Sequence, residues 1–277
     1  PVVPGMRPVP KHIEYPPYAR GVPIERKEFI EIRTAEEIEA MRKASRFASR
    51  IRAYGGSLCQ PGITTEEIDR LLHEKVCSWG VYPSPVGYQG FPKACTTSVN
   101  EVLCHGIPDT RPLEDGDIIN IDVSCYVDGF HGDCSGMFEV GTVDEVGKRL
   151  VKTTIDATRK AIGICGPGVE LKQIGRTIHD IADEAGFGVC RAFCGHGIGR
   201  DFHIPPLVLH FRNDYPGTML PGMVFTIEPI LLESQEVEHT IMEDGWTAVS
   251  PGGHRAAQYE ETILITSQGV EILTQHD

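Results

Sequence analysis

Sliding the chain along itself until Pro61 falls on Pro167, a shift of 106 positions, lays PGITTEEIDRLLHEKVCSWG (61–80) over PGVELKQIGRTIHDIADEAG (167–186). The Pro-Gly start and the final glycine coincide, as do Ile68 with Ile174, Arg70 with Arg176 and His73 with His179. The same shift, without a gap, lays GDIINID (116–122) over GMVFTIE (222–228), so a strand-like run ending in an acid recurs at the same place. Self-similarity at a fixed offset indicates duplicated architecture, and two copies fit a pair of related halves rather than a solenoid. Each half reads as helix, helix, then strands, which makes the chain α/β (α+β) and folds it about a pseudo-twofold. Such an axis would bring Asp122 and Glu228 together.

Local signals agree with this frame. TAEE from Thr34 resembles a capping box, and Ile38, Met41, Ala44, Ala48 and Ile51 follow at helical spacing. A second helix is predicted from about Thr64, with Ile68, Leu71, Leu72 and Val76 on one face. The first 33 residues are rich in proline and lack an apolar period, which predicts an extended, polyproline-like arm lying on the domain. The expected division is an arm, 1–33, and one domain, 34–277, with halves of about 34–140 and 141–277.

At 277 residues with 40% hydrophobic side chains the chain can bury a large core, and it has no apolar run long enough to cross a bilayer. Its net charge of −13 argues against nucleic acid as a direct partner, because phosphates call for a basic face. Nine scattered cysteines without a CxxC predict a reducing compartment and no structural zinc module. Cys190 and Cys194 are expected to be two small buried hydrophobes. Cytoplasm is the expected location; mitochondrion or plastid is the alternative, since a chain starting at Pro1 leaves room for a removed segment.

The acids carry the chemistry. Asp128-Gly129 is a strong two-residue hairpin signal between VSCYV and FHGDC. Pairing Val127 with Phe130 sets Ser124 opposite Asp133 and Asp122 opposite Ser135, so Asp122 and Asp133 become diagonal neighbours on one face, with α-carbons roughly 7–8 Å apart. Buried carboxylates that close repel unless cations lie between them. Glu228 ends an apolar strand, Glu260 sits inside another, and His196 is flanked by glycines that permit close backbone approach. Together Asp122, Asp133, His196, Glu228 and Glu260 form a ligand set suited to two divalent ions, manganese, iron(II), cobalt or zinc. Paired ions activate water for hydrolysis. His105 and His203, in Gly/Pro loops, could meet charge developing on a tetrahedral intermediate.

The phrases YPSPVGYQGFPK, TSVNEVLCHGIPD, GDIINIDV, DGFHGD, GHGIG, FTIEP and DGWTAVS occur in this order, and with these five candidate ligands the chain resembles type I methionine aminopeptidases from about Thr34 to Thr274. The short span from His203 to Glu228 is similar to type I rather than type II. The resemblance implies the pita-bread fold, with residues 34–277 as its catalytic domain, and removal of initiator methionine from nascent chains, best before a small second residue. It makes the five residues dinuclear ligands, with Glu228 also shuttling a proton, His105 contacting the scissile amide and His203 stabilising the intermediate. The peptide's free α-amine would bind one metal. Pro85, Tyr88, Phe91, Thr96, Phe202 and Trp246 would form the methionine pocket, where a thioether suits aromatic edges. Expected partners are the N-terminal methionine of nascent peptides and the ribosome presenting them, with no membrane, and the chain is expected to act as a monomer.

Three positions depart from the family pattern. Thr96 stands where many relatives have cysteine, which makes the pocket wall more polar. Glu261 stands where histidine is usual, and strand alternation predicts a side chain directed away from the metals, into a changed backing or the surface. The proline-rich arm stands where longer eukaryotic forms carry a zinc-finger region, so ribosome docking through such a module is not expected. Two rival readings are an Xaa-Pro peptidase on the same fold and a non-catalytic pita-bread binding module. HGIPD, GYQGFPK and DGWT weigh against the first, and the complete ligand set weighs against the second.

Overall fold

The computed structural model describes residues 1–275. Its first half runs α1 (Ala35–Ser57), α2 (Thr65–Ser78), then β1 (Tyr82–Pro83), β2 (Cys95–Val99), β3 (Val102–Cys104), β4 (Ile118–Val127) and β5 (Phe130–Glu139). The second half repeats the order with α3 (Glu145–Gly163), α4 (Lys172–Ala185), β6 (Gly188–Val189), β7 (Gly195–Gly197), β8 (Ile204–Val208) and β9 (Val224–Ile227). It ends with β10 (Ile230–Leu232), β11 (Thr240–Ile241), β12 (Ala248–Val249), β13 (Ala256–Gln258), β14 (Glu261–Ile265) and β15 (Val270–Ile272).

The helices start where the capping chemistry predicts. The Thr34 side chain accepts from the Glu37 N–H while the Glu37 carboxylate accepts from the Thr34 N–H, a complete capping box. Thr64 caps α2 by its side chain alone, which accepts from the Glu67 N–H. Met41, Ala44, Ala48 and Ile51 are buried on α1, as are Ile68, Leu72 and Val76 on α2, while Leu71 stays half-buried.

Each half has its own core. Ala48, Ile51, Ile68, Leu72 and Val76 pack beneath Ile119, Ile121 and Val123 of β4. Leu150, Ala157, Ile174 and Ile178 of α3 and α4 pack beneath Phe225, Ile227 and Ile263 of β9 and β14. The β4–β5 ladder has the expected register, with Val127 opposite Phe130, Ser124 opposite Asp133 and Asp122 opposite Ser135. Asp128 and Gly129 both have positive φ, 51° and 82°, as a tight I′-type turn requires. A five-stranded sheet in the order β15-β14-β9-β7-β8 forms the second half's counterpart.

The halves pair through β3 and β12 and, beside the acids, through an isolated antiparallel bridge, Ser135 to Glu260. Ser135 faces Asp122 in the first half, and extending the β9–β14 register by one residue sets Glu260 opposite Glu228 in the second. Ser135 and Glu260, the ladder partners of the two acids that the repeat aligns, thus pair with each other, which puts the pseudo-twofold axis beside the acids.

The amino-terminal arm is more ordered than a polyproline strand. Pro17–Arg20 form a 3-10 turn, with proline at its start and Gly21 closing it in the left-handed region. Val9 and Ile13 are buried, and Arg7 pairs with Glu66 and Asp69 of α2. Buried apolar side chains and a paired cation, rather than proline stiffness alone, hold the arm down.

Candidate metal and peptide site

A cavity of about 340 Å³ opens along the seam, and every residue named above as a candidate ligand, catalytic group or pocket wall lines it. Asp122 and Asp133 reach it from neighbouring strands of the hairpin. His196 stands on β7 between two glycines that the packing requires: an added β-carbon would lie 2.3 Å from the Thr226 carbonyl oxygen at Gly195 and 2.1 Å from that of Pro205 at Gly197. Glu228 and Glu260 follow β9 and precede β14, at strand ends rather than strand centres.

The donor atoms converge. One ligand atom each from Asp133, His196 and Glu260 lie within 4.8 Å of one another. His196 Nε2 stands 3.5 Å from both Asp133 Oδ2 and Glu228 Oε1, while its Nδ1 donates to the Gly197 carbonyl at 3.1 Å. That tautomer leaves the Nε2 lone pair facing the cavity. Ser124 Oγ donates to Asp133 Oδ1 at 2.7 Å, Thr226 Oγ1 to Glu228 Oε1 at 2.8 Å, and Gln258 Nε2 to Glu228 Oε2 at 3.2 Å.

The electrostatics call for a cation. Burial first, then the charges of Asp133 and Glu228, push Asp122 well above the usual carboxylate range. Burial and the same neighbours do this to Glu260, and Glu228 is raised chiefly by burial. Burial alone would lower His196, but the bond its protonated ring would donate to Asp133 and the charge of Glu228 raise it. Among the described residues, no lysine or arginine lines the cavity to offset these acids. Four carboxylates and one imidazole with a free nitrogen fit a divalent cation.

The other two histidines stay neutral. Burial lowers His105, and burial with three neighbouring imidazoles lowers His203 further. His203 Nδ1 is 2.9 Å from the Tyr88 hydroxyl. His105 has a left-handed backbone, φ 57°, and its ring meets Phe193 and Trp246 edge-on at 5.3 and 6.1 Å. Phe91 meets Trp246 edge-on at 5.1 Å, and Tyr88 tilts against Phe202 at 4.9 Å. Thr96, directly across the ladder from Asp122, has a hydroxyl without a hydrogen-bond partner among the described residues.

Some of the surroundings carried no signal in the residue pattern. His210, held neutral by burial with its pKa pushed down to about 3, accepts the Glu228 N–H at 3.1 Å and so fixes that backbone. Thr226 accepts the His196 N–H at 3.0 Å while donating to Glu228. Cys190 is buried as expected, but Cys194 is only partly buried and lines the cavity, because it immediately precedes the Gly195 approach.

A duplicated α/β fold with buried carboxylates and imidazole at its seam defines a metal-dependent hydrolase. Residues 39–267 match metallopeptidase family M24. Over 274 residues the chain is 51% identical to an Arabidopsis thaliana protein named methionine aminopeptidase 1D, chloroplastic/mitochondrial, covering 97% of this chain and 77% of that protein. It is 47% identical to the Homo sapiens methionine aminopeptidase 1D, mitochondrial, covering 99% and 82%. The crystal structure of methionine aminopeptidase from Rickettsia prowazekii superposes with a TM-score of 0.87 at 39% identity, over 89% of this chain and all of that one. The chain belongs to metallopeptidase family M24 and, within it, to the methionine aminopeptidases. It therefore has the pita-bread fold and uses divalent metal. The compartments printed for these two relatives are organellar, so the cytoplasmic expectation gains no support from them.

Proposed function

We propose that this chain removes the N-terminal methionine of nascent proteins and peptides, cutting best before a small second residue, with two divalent ions held by Asp122, Asp133, His196, Glu228 and Glu260. The observation that carries this reading is a buried acid cluster that shares one cavity with aromatic walls and, among the described residues, with no lysine or arginine. Bound ions would polarise the scissile carbonyl and ease deprotonation of the attacking water. The ion identity, from manganese, iron(II), cobalt or zinc, follows from supply as much as from this donor set.

The chain's own groups do the rest. Glu228, held at both oxygens by Thr226 and Gln258, accepts a proton from the attacking water and passes it to the departing amine. The Tyr88 hydroxyl donates to His203 Nδ1, which leaves the Nε2–H to donate to the developing oxyanion. His105 contacts the scissile amide from the other side. Tyr88, Phe91, Phe202 and Trp246, with Pro85 and Thr96, enclose the methionine side chain. The peptide's α-amine, in its unprotonated form, would bind one of the ions, so only a terminal residue is cut.

The same proposal treats residues 34–277 as one catalytic domain strapped by the arm 1–33, acting as a monomer on chains leaving the ribosome. It sets the protein in a mitochondrion or plastid, in keeping with the named relatives. The test is methionine release from Met-Ala-Ser by metal-stripped protein titrated with Mn²⁺ or Co²⁺, beside Met-Phe-Ser and a Gly-Pro peptide. Metal-dependent release, fastest from Met-Ala-Ser, is expected. Cleavage of Gly-Pro alone would replace this reading with an Xaa-Pro peptidase, and no turnover with no ion bound would leave a binding module.

A further inference from the structure

Glu261, the acid at a position where histidine is usual, is neither a ligand nor a surface residue. Its side chain points away from the cavity, is almost fully buried and pairs with Arg52 of α1 at 3.2 Å. Tyr259 Oη donates to Glu261 Oε1 at 2.5 Å and Thr274 Oγ1 donates to Oε2, so the carboxylate is fixed from three sides. Arg52 is equally constrained. Its Nη1 donates to the carbonyls of Ser135 at 3.2 Å and Glu260 at 3.1 Å, and its Nη2 to that of Thr274 at 3.1 Å.

The carbonyls of Ser135 and Glu260 belong to the seam. The Ser135–Glu260 bridge is isolated, and both of its backbone hydrogen bonds measure 3.4 Å, beyond the usual range. Yet this bridge joins the strand carrying Asp133 to the segment carrying Glu260, one candidate ligand from each half. Arg52 spans it through one guanidinium nitrogen, Nη1, while the other arm of the planar fork holds Nη2 on Thr274.

We propose that Arg52 and Glu261 are positioning residues for the metal site: Glu261 orients the guanidinium, and the guanidinium fixes the spacing of Asp133 and Glu260 across the seam. The inference rests on reading Asp133 and Glu260 as metal ligands. Consecutive strand residues face opposite ways, so Glu261 acts on Glu260 through the peptide they share. Groups behind a ligand commonly change metal affinity by roughly 10- to 100-fold when altered.

The experiment is calorimetric titration of stripped protein with Mn²⁺, with metal-free melting measured alongside, for wild type, Glu261→Gln, the double variant Arg52→Met/Glu261→Gln, and Glu260→Ala. Glu261→Gln is expected to weaken Mn²⁺ binding by roughly 10- to 100-fold. Should that variant fail to fold, the double variant decides, because it leaves no unpaired buried charge. Its metal-free melting should return toward wild type while Mn²⁺ binding stays weak and the Co²⁺ visible spectrum stays shifted. Wild-type Mn²⁺ affinity in the double variant would overturn the proposal, since a merely structural pair would restore both properties. Wild-type binding by Glu260→Ala would instead remove the metal-site reading on which the proposal stands.

Discussion

The two halves supply their acids by different means. In the first, Asp122 and Asp133 sit inside two ten-residue strands whose unbroken ladder fixes both carboxylates by register. In the second, His196 lies on a three-residue strand with a register shift beside it, and Glu228 and Glu260 lie just off the ends of β9 and β14. A long ladder needs little help to hold a side chain; a strand end does. Accordingly Thr226 and Gln258 hold the Glu228 carboxylate, His210 accepts the Glu228 N–H, and Arg52 reaches across from the first half to the Glu260 carbonyl, whereas the Asp133 carboxylate has one hydroxyl donor, Ser124, and its carbonyl accepts from Thr262. The duplicated fold has kept the positions of its acids while changing what secures them.

The largest effect should follow removal of a ligand from the rigid half. Asp133→Ala is expected to lower methionine release by well over roughly 100-fold, beyond what losing a group behind a ligand costs. The circular dichroism spectrum should stay unchanged, because the ladder holds without this carboxylate. Substantial turnover at saturating Mn²⁺ would take Asp133 out of the site.

A matched pair then tests the contrast itself. Thr226→Val and Ser124→Ala each remove one hydroxyl donor to a carboxylate. Thr226→Val should cost more activity, up to roughly 10- to 100-fold, because it frees Glu228 at a strand end and leaves the His196 N–H unpaired. Ser124→Ala should cost several-fold less, since the ladder still aims Asp133. Equal losses in kcat would show that ladder and strand end hold their ligands equally well.

Legibility followed the same division. The first half could be read from residues alone: the Asp128-Gly129 turn and strand alternation gave the register that sets Asp122 beside Asp133. Glu228 was reachable through the repeat, and Glu260 and His196 stood out as polar groups in apolar or glycine-rich runs. The proton-shuttle role of Glu228, and the pocket formed by Tyr88, Phe91 and Trp246, depended on the family resemblance, because residues from separate loops meet only after folding. His210, Thr226 and Gln258 escaped notice since each looks ordinary in its own segment. Glu261 was visible as a departure, but its partner Arg52 lies on a helix more than 200 residues away.

The pocket draws on both halves too, with Phe91 from the first and Trp246 from the second meeting edge-on. Trp246→Ala should reduce preference for methionine over norvaline or alanine by about 10-fold, the scale at which an apolar pocket distinguishes small changes in side-chain size. Competition assays reporting kcat/KM ratios would measure this. Unchanged selectivity would remove Trp246 from the pocket.

The smallest effect concerns protons. In the metal-free site, burial and like charges raise Asp122, Glu228 and Glu260, and Asp133 with Glu228 raises His196. A raised folded pKa contributes stability below the unfolded value that is lost as pH rises through the folded value. Stripped protein is therefore penalised as pH climbs from the ordinary carboxylate range toward neutrality, and a divalent ion relieves that penalty by displacing protons. The gap in Tm between Mn²⁺-loaded and stripped protein should widen with pH across this window. His131 and His210, each held neutral with a pKa near 3, are present in both forms and cancel in the difference. Three of the four raised groups belong to the second half, so Glu228→Gln with Glu260→Gln should remove more of the protons released on Mn²⁺ binding than Asp122→Asn. Calorimetry in buffers of different ionisation enthalpy counts them, and equal counts for the two variants would mean that the halves differ in how they hold their acids but not in how they charge them.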